Sequence, residues 1–131
     1  MSFDIFIQAF EHGNARDADA EQILRILRPF FAGEPQNGHV LVKTLDGEAD
    51  IYGIDKVARG LMVNHASGRA IWDLLFEIAA KSSTAVIPVG CSACVASREV
   101  LAHLPEELRA SAQVVTTGAD LLAAINRTPA T

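Results

Sequence analysis

Apolar and polar positions follow two different periods along this chain, and each change of period marks an element. Phe3 to Phe10 (FDIFIQAF) is rich in aromatic and β-branched residues and partly alternates, which predicts a strand. The polar stretch EHGNARDADA after it predicts a loop. Asp19 with Gln22 three residues on has the form of a capping box. Ile23, Leu24, Ile26 and Leu27 then give a helical apolar face until Pro29, predicting a helix of about ten residues. HVLVKT (39–44), ADIYGI (49–54) and GLMVNHA (60–66) predict three short strands, and Asp46-Gly47 between the first two is a hairpin signal. Together they form an antiparallel meander.

Gly68 to Lys81 carries the clearest helical pattern, with Ile71, Leu74, Leu75 and Ile78 as the main face and Trp72 and Phe76 widening it. Only Asp73, Glu77 and Lys81 remain as a polar stripe, so this helix is expected against a sheet with further cover above it. TAVIPVG (84–90) reads as a strand buried on both faces. A moderately helical segment follows with Val95, Val100, Leu101 and Leu104, closed by Pro105, and PEEL can form a short turn. AQVVTT (112–117) predicts the last strand, and Thr117 with Asp120 caps a final helix carrying Leu121, Leu122 and Ile125. The order β-α-β-β-β-α-β-α-β-α predicts an α/β or α+β fold: one mixed sheet, an antiparallel meander plus crossover strands, with about four helices packed on it. One compact domain over residues 1–131 is expected, with 127–131 as a frayed tail.

Composition narrows the partners. With 131 residues and half of them apolar, the chain can bury one core. Eleven Lys and Arg against sixteen Asp and Glu give a charge of −5 and no basic run, which argues against nucleic acid. No apolar run approaches the ~18 residues of a membrane span. The opening Met1-Ser2-Phe3-Asp4 lacks a basic stretch leading into an apolar one, so a cytoplasmic protein is expected, whose thiols stay reduced.

Candidate chemistry centres on Cys91 and Cys94, the only cysteines, in PVGCSACVASRE. Three readings of this CxxC stand open. Behind a buried strand and ahead of a helix N-terminus, Cys91 would be a dipole-stabilised thiolate with Cys94 resolving it. The aromatic residue before the motif and the later proline of thioredoxin-like proteins are missing, since Gly90 precedes Cys91 and the next strand has no proline. In a zinc site the pair would supply two ligands, leaving the others to His12, His39, His65, His103 or carboxylates, with His65 and His103 foremost. In the third reading the two are small side chains packed against the sheet. Gly90-Cys91-Ser92-Ala93-Cys94 resembles the G-x-S-x-G nucleophile elbow around Ser92, but Cys94 stands where the second glycine is needed.

A second stretch, GLMVNHASGR (60–69), ends a strand and turns into the long helix, a common setting for ligand-binding residues. If the alternation of Leu61, Val63 and His65 marks the inner face, His65 is half-buried there and needs a partner, the plain reading being a satisfied core or rim histidine. Asp50 and Tyr52, one strand earlier, line the same surface if the meander pairs in sequence order. Asp46 and Asp55 are read as turn residues.

The opening Met1 to Asp4 with its apolar IFIQAF strand, the mid-chain Asp46-Gly47 turn, the Trp-containing helix, Leu104-Pro105 and the closing TTGADLLAAI resemble a group of small bacterial proteins that open with Met-Ser-Phe-Asp. The resemblance spans most of the chain, implies no activity and carries over no catalytic residue. The functional expectation is a non-enzymatic binding module for a protein partner, of toxin-immunity or scaffold type, or a homodimer formed through an edge strand of the meander. Its interface would lie near GLMVNHASG or along Phe3 to Phe10. No cofactor is expected for that module; the alternative is a thiol-redox or metal-dependent protein that uses Cys91 and Cys94 with His65 or His103 as base or ligand, zinc being the metal it would take.

Overall fold

The computed structural model describes residues 4–126, so the expected tail at 127–131 and the first residue of the expected opening strand lie outside the described residues. Alternating burial of Ile5, Ile7 and Ala9 sets strand β1 (Ile5–Glu11), which continues into β2 (Asn14–Arg16). The stretch expected to be only a loop is thus a hairpin. His12 (φ 50°) and Gly13 (φ 83°) both take the left-handed conformation that a two-residue turn requires, and Glu11 pairs with Asn14 across it. All three residues of β2 are exposed, so no apolar alternation betrays the strand in the sequence.

Helix α1 (Ala20–Leu27) starts where the capping pattern places it, the Gln22 amide donating to Asp19 Oδ1 at 3.1 Å, and a single 3-10 turn over Arg28–Phe30 carries Pro29. The meander forms as β3 (His39–Lys43), β4 (Glu48–Tyr52) and β5 (Leu61–Asn64). Helix α2 (Ala70–Ser82) leads to β6 (Ala85–Pro88), then β7 (Cys94–Val95), the short helices α3 (Arg98–Ala102) and α4 (Glu106–Arg109), β8 (Gln113–Val114) and α5 (Gly118–Asn126). The segment expected as one helix is therefore a strand, β7, followed by the short helix α3, and α4 forms at PEEL, where a short turn is expected. The Thr117 cap ahead of α5 is present, with the Asp120 amide on Thr117 Oγ1 at 3.0 Å, while Asp120 Oδ2 accepts from the Thr116 amide at 3.1 Å.

The fold is α+β, with one mixed eight-stranded sheet in the order β3-β4-β5-β1-β6-β7-β8, β2 being attached to the outer half of β1. Every pairing is antiparallel except β7 with β8. Helices α1, α2 and α5 cover the inner face, where Ile5, Ile7, Val42, Ile51 and Val63 of the sheet meet Ile23 and Leu27 of α1, Ile71, Leu75 and Ile78 of α2, and Leu121 of α5. The near-continuous apolar girdle of α2 is explained by this position, with α1 on one side and α5 on the other. Gly118 lets α5 close onto α2, since a Cβ there would lie 2.5 Å from the Asp73 backbone nitrogen.

The outer face is covered only in part. At the β6–β8 end, Leu104, Val100, Leu101 and Leu108 seal Ala85, Val95, Ile87 and Phe10 into a second small core. Over Phe6 and the meander no helix among the described residues lies on that face, and its side chains keep partial exposure.

Candidate functional site

Strand register builds the open face residue by residue. His39 pairs with Tyr52, Tyr52 with Met62, Met62 with Phe6 and Phe6 with Ile87, so one row crosses five strands on a single side. Ile87 runs under the second core, while Phe6 is 43% exposed. The neighbouring row is Leu41, Asp50 and Asn64, with Asp4 beyond, to which the Asn64 amide donates at 3.4 Å. Asn64 Oδ1 is buried with no hydrogen-bond partner.

Asp50 is the polar centre. Its Oδ1 lies 2.8 Å from His39 Nε2 and its Oδ2 lies 3.0 Å from His65 Nδ1, so one carboxylate spans two imidazoles. The His39 ring also packs on Tyr52 with centroids 4.7 Å apart. Hydrogen bonding to His39, and secondarily to His65, holds the Asp50 carboxyl below the ordinary carboxylate range against an opposing desolvation effect.

His65 departs from its expected place. Leu61 and Val63 do face the core, but β5 ends at Asn64 and His65 adopts φ 53°. That left-handed turn breaks the alternation and puts the ring on the outer side beside Asp50, with 61% of its side chain exposed. Asp50 and Tyr52 do line the surface that His65 joins. His39, named in the sequence only as a spare donor, was legible from the Asp-Gly turn: a two-residue-period hairpin sets His39 and Leu41 beside Asp50 and Tyr52.

The cysteines are elsewhere and not on a helix. After Pro88 the chain folds back through Gly90 (φ 81°), with the Cys91 amide donating to the Pro88 carbonyl at 3.0 Å, and Cys94 begins β7 opposite Val86. The first helix beyond them starts at Arg98, capped by Ser97 Oγ. The expected helix-dipole stabilisation of Cys91 is therefore lost, because a hairpin replaces the strand-to-helix junction. Cys94 is buried in the main core, its thiol 3.7 Å from the Ser92 carbonyl, and Cys91 is partly buried against the same core. Ser92 likewise sits in this hairpin connection rather than at an elbow.

His103 belongs to another pair. Its Nδ1 accepts from the His12 amide at 3.1 Å, its carbonyl accepts from the Gly13 amide at 3.0 Å, and the two rings meet edge to face. It thereby latches the β1–β2 hairpin to the end of α3. The histidines proposed to serve the cysteines are thus held by other partners, His65 by Asp50 and His103 by His12. Among the described residues no group of three or more His, Cys, Asp and Glu is arranged to hold a metal ion.

Asp46 does more than shape its turn. Its two carboxylate oxygens accept from the Arg69 and Ala70 amides at 2.9 and 3.1 Å, capping α2 from a different part of the chain. These backbone donors hold its carboxyl below the ordinary range.

Compared with known proteins, the chain matches no family model, no curated protein and no solved structure. Among the described residues no helix is long and apolar enough to cross a membrane.

Proposed function

We propose that this protein is a binding module without chemistry of its own, which docks a protein partner on the outer face of its sheet. The observation that carries the reading is the row Tyr52, Met62 and Phe6, left uncovered while the same face is sealed by α3 and α4 a strand away. Phe6 is exposed and Tyr52 and Met62 are half-buried beside it, and a contiguous apolar row open to solvent is a usual mark of an interaction surface. They join the two stretches singled out in the sequence, Phe3 to Phe10 and GLMVNHASG, as adjacent strands. On the meander side the face is more available than the edge. Along β3 the edge is occupied by the Ala32 amide on the Leu41 carbonyl and by bridges from Phe31 and Gln36. A net charge of −5 suits a basic partner, as for a cytoplasmic toxin-immunity or scaffold protein. No geometric observation favours the thiol or metal reading.

The test compares the wild-type protein with the double variant Phe6→Glu, Met62→Glu in affinity capture and in sedimentation. The expected result is a stable complex, with another protein or with a second copy, that the folded double variant no longer forms. A monomer without a complex, or a complex indifferent to both substitutions, would overturn the reading.

A further inference from the structure

Beyond the row Tyr52, Met62, Phe6, the next outward positions lack side chains. Gly60 follows the Leu61–Ile7 pair and sits against Gln8: a Cβ there would lie 2.7 Å from Gln8 Oε1 and 2.9 Å from the Ile7 carbonyl. Gly53 stands beside it, where a Cβ would lie 2.9 Å from the Gly60 carbonyl. Both glycines have positive φ, 113° at Gly60 and 94° at Gly53, so these positions combine close approach with a conformation other residues avoid. The result is a notch of about 260 Å³ in the side-chain layer of the open face.

Its walls differ in chemistry. Phe6, Tyr52 and Met62 form one side, two aromatic rings and a thioether. Gln8 and Arg59 form the other. The Gln8 amide nitrogen is tied to the Ala9 carbonyl at 2.9 Å, which orients that side chain. Among the described residues Arg59 is the only charged one lining the notch, and its exposed guanidinium forms no ion pair with them. An exposed cation stands beside an apolar wall, and no carboxylate lines the notch. It selects for an anion attached to an apolar body. An enclosed cavity of roughly 150 Å³ holds a benzene ring, so this notch, open to solvent on one side, has room for one ring with a short acid arm.

We propose that this notch binds a small single-ring aromatic carboxylate, the ring against Phe6, Tyr52 and Met62 and the carboxylate on Arg59. The guanidinium offers a carboxylate two parallel donors, and Met62 sulfur and the aromatic edges suit a planar ring. This site goes beyond the docking of a protein partner and needs only the notch itself.

The experiment is an amide-resolved NMR titration with 3-phenylpropionate and, separately, its neutral amide. The expected result is saturable shifts confined to the backbone around Phe6, Gln8, Tyr52, Gly53, Gly60 and Met62, with the carboxylate bound at least fivefold more tightly. Arg59→Gln, an exposed substitution, should abolish that preference while leaving the amide's affinity in place, and Arg59→Lys should restore part of it. Equal affinity for acid and amide, shifts centred on another surface such as the α2–α5 cleft, or no saturation would each overturn the proposal.

Discussion

Gly47 offers the sharpest test of how the meander is joined to the helical layer. It has no positive φ, so its glycine is demanded by space alone: a Cβ built there would overlap the Ser67 carbonyl group outright and lie 2.8 Å from the Gly68 nitrogen. Both obstacles are backbone and cannot rotate away. Gly47→Ala must therefore push the 45–48 turn off the 67–70 segment, and that movement draws the Asp46 carboxylate away from the Arg69 and Ala70 amides. Overpacking of this kind costs about 1–3 kcal/mol. At about 2.1 cal/mol/K of unfolding entropy per residue, a chain of 131 residues loses a degree for roughly 0.28 kcal/mol. The expected fall in Tm is ~4–11 °C. The assay is thermal unfolding by circular dichroism on the wild type, Gly47→Ala, Asp46→Asn and the double variant. If the steric push works by withdrawing the cap, Asp46→Asn should cost clearly less in the Gly47→Ala background than in the wild type. A Gly47→Ala protein melting within a degree or so of the wild type, or strictly additive effects, would refute the reasoning.

Two further outcomes follow from the same geometry. Hydrogen bonds from His39 and His65 lower the Asp50 pKa below its ordinary 3.8, so its contribution to stability is present above that value and is lost as pH falls through the depressed folded value. The Tm gap between wild type and Asp50→Asn should accordingly be widest at neutral pH and close on acidification, and a gap constant down to pH ~2 would contradict the linkage. For the cysteines, the partly exposed Cys91 should react with iodoacetamide in the native protein, whereas Cys94, 1% exposed, should react only on unfolding. Labelling of both at the same native rate, read by mass spectrometry of the peptides, would return the pair to the accessible sites.

Much of the fold was legible because burial writes a period into the chain. The meander, α1, α2 and α5 were all visible in apolar spacing, and the caps at Asp19 and Thr117 were readable because capping needs only a short polar side chain three residues from its donor. β2 was not legible, since an edge strand exposed on both faces leaves no pattern. The region after β6 misled for the opposite reason. Cys91, Ala93 and Val95 suit a helix as well as a hairpin, and the long-range pairing of Cys94 with Val86 and Gln113 decided the matter. The candidate site was half visible: Asp50, Tyr52 and His65 were read onto one surface, while Arg59, ending the kinked 3-10 segment Ile54–Arg59 between two glycines, carried no pattern that linked it to Phe6.

The position of β1 sets a schedule for folding. It precedes all its neighbours in the sheet, yet it is the strand that joins the meander to β6, through Ile5 with Val63 on one side and Ile5 with Pro88 on the other. Loops of roughly sixty and eighty residues must close before those ladders exist, and loop closure of that length is what slows folding. During synthesis β1 waits, with Ile5, Phe6 and Ile7 unpaired, until β5 leaves the ribosome, and its other side stays open until β6 follows. The β1–β2 hairpin, complete within a dozen residues, is the one piece that can form at once. It would hold the first strand extended and in register while the rest of the sheet is still being made.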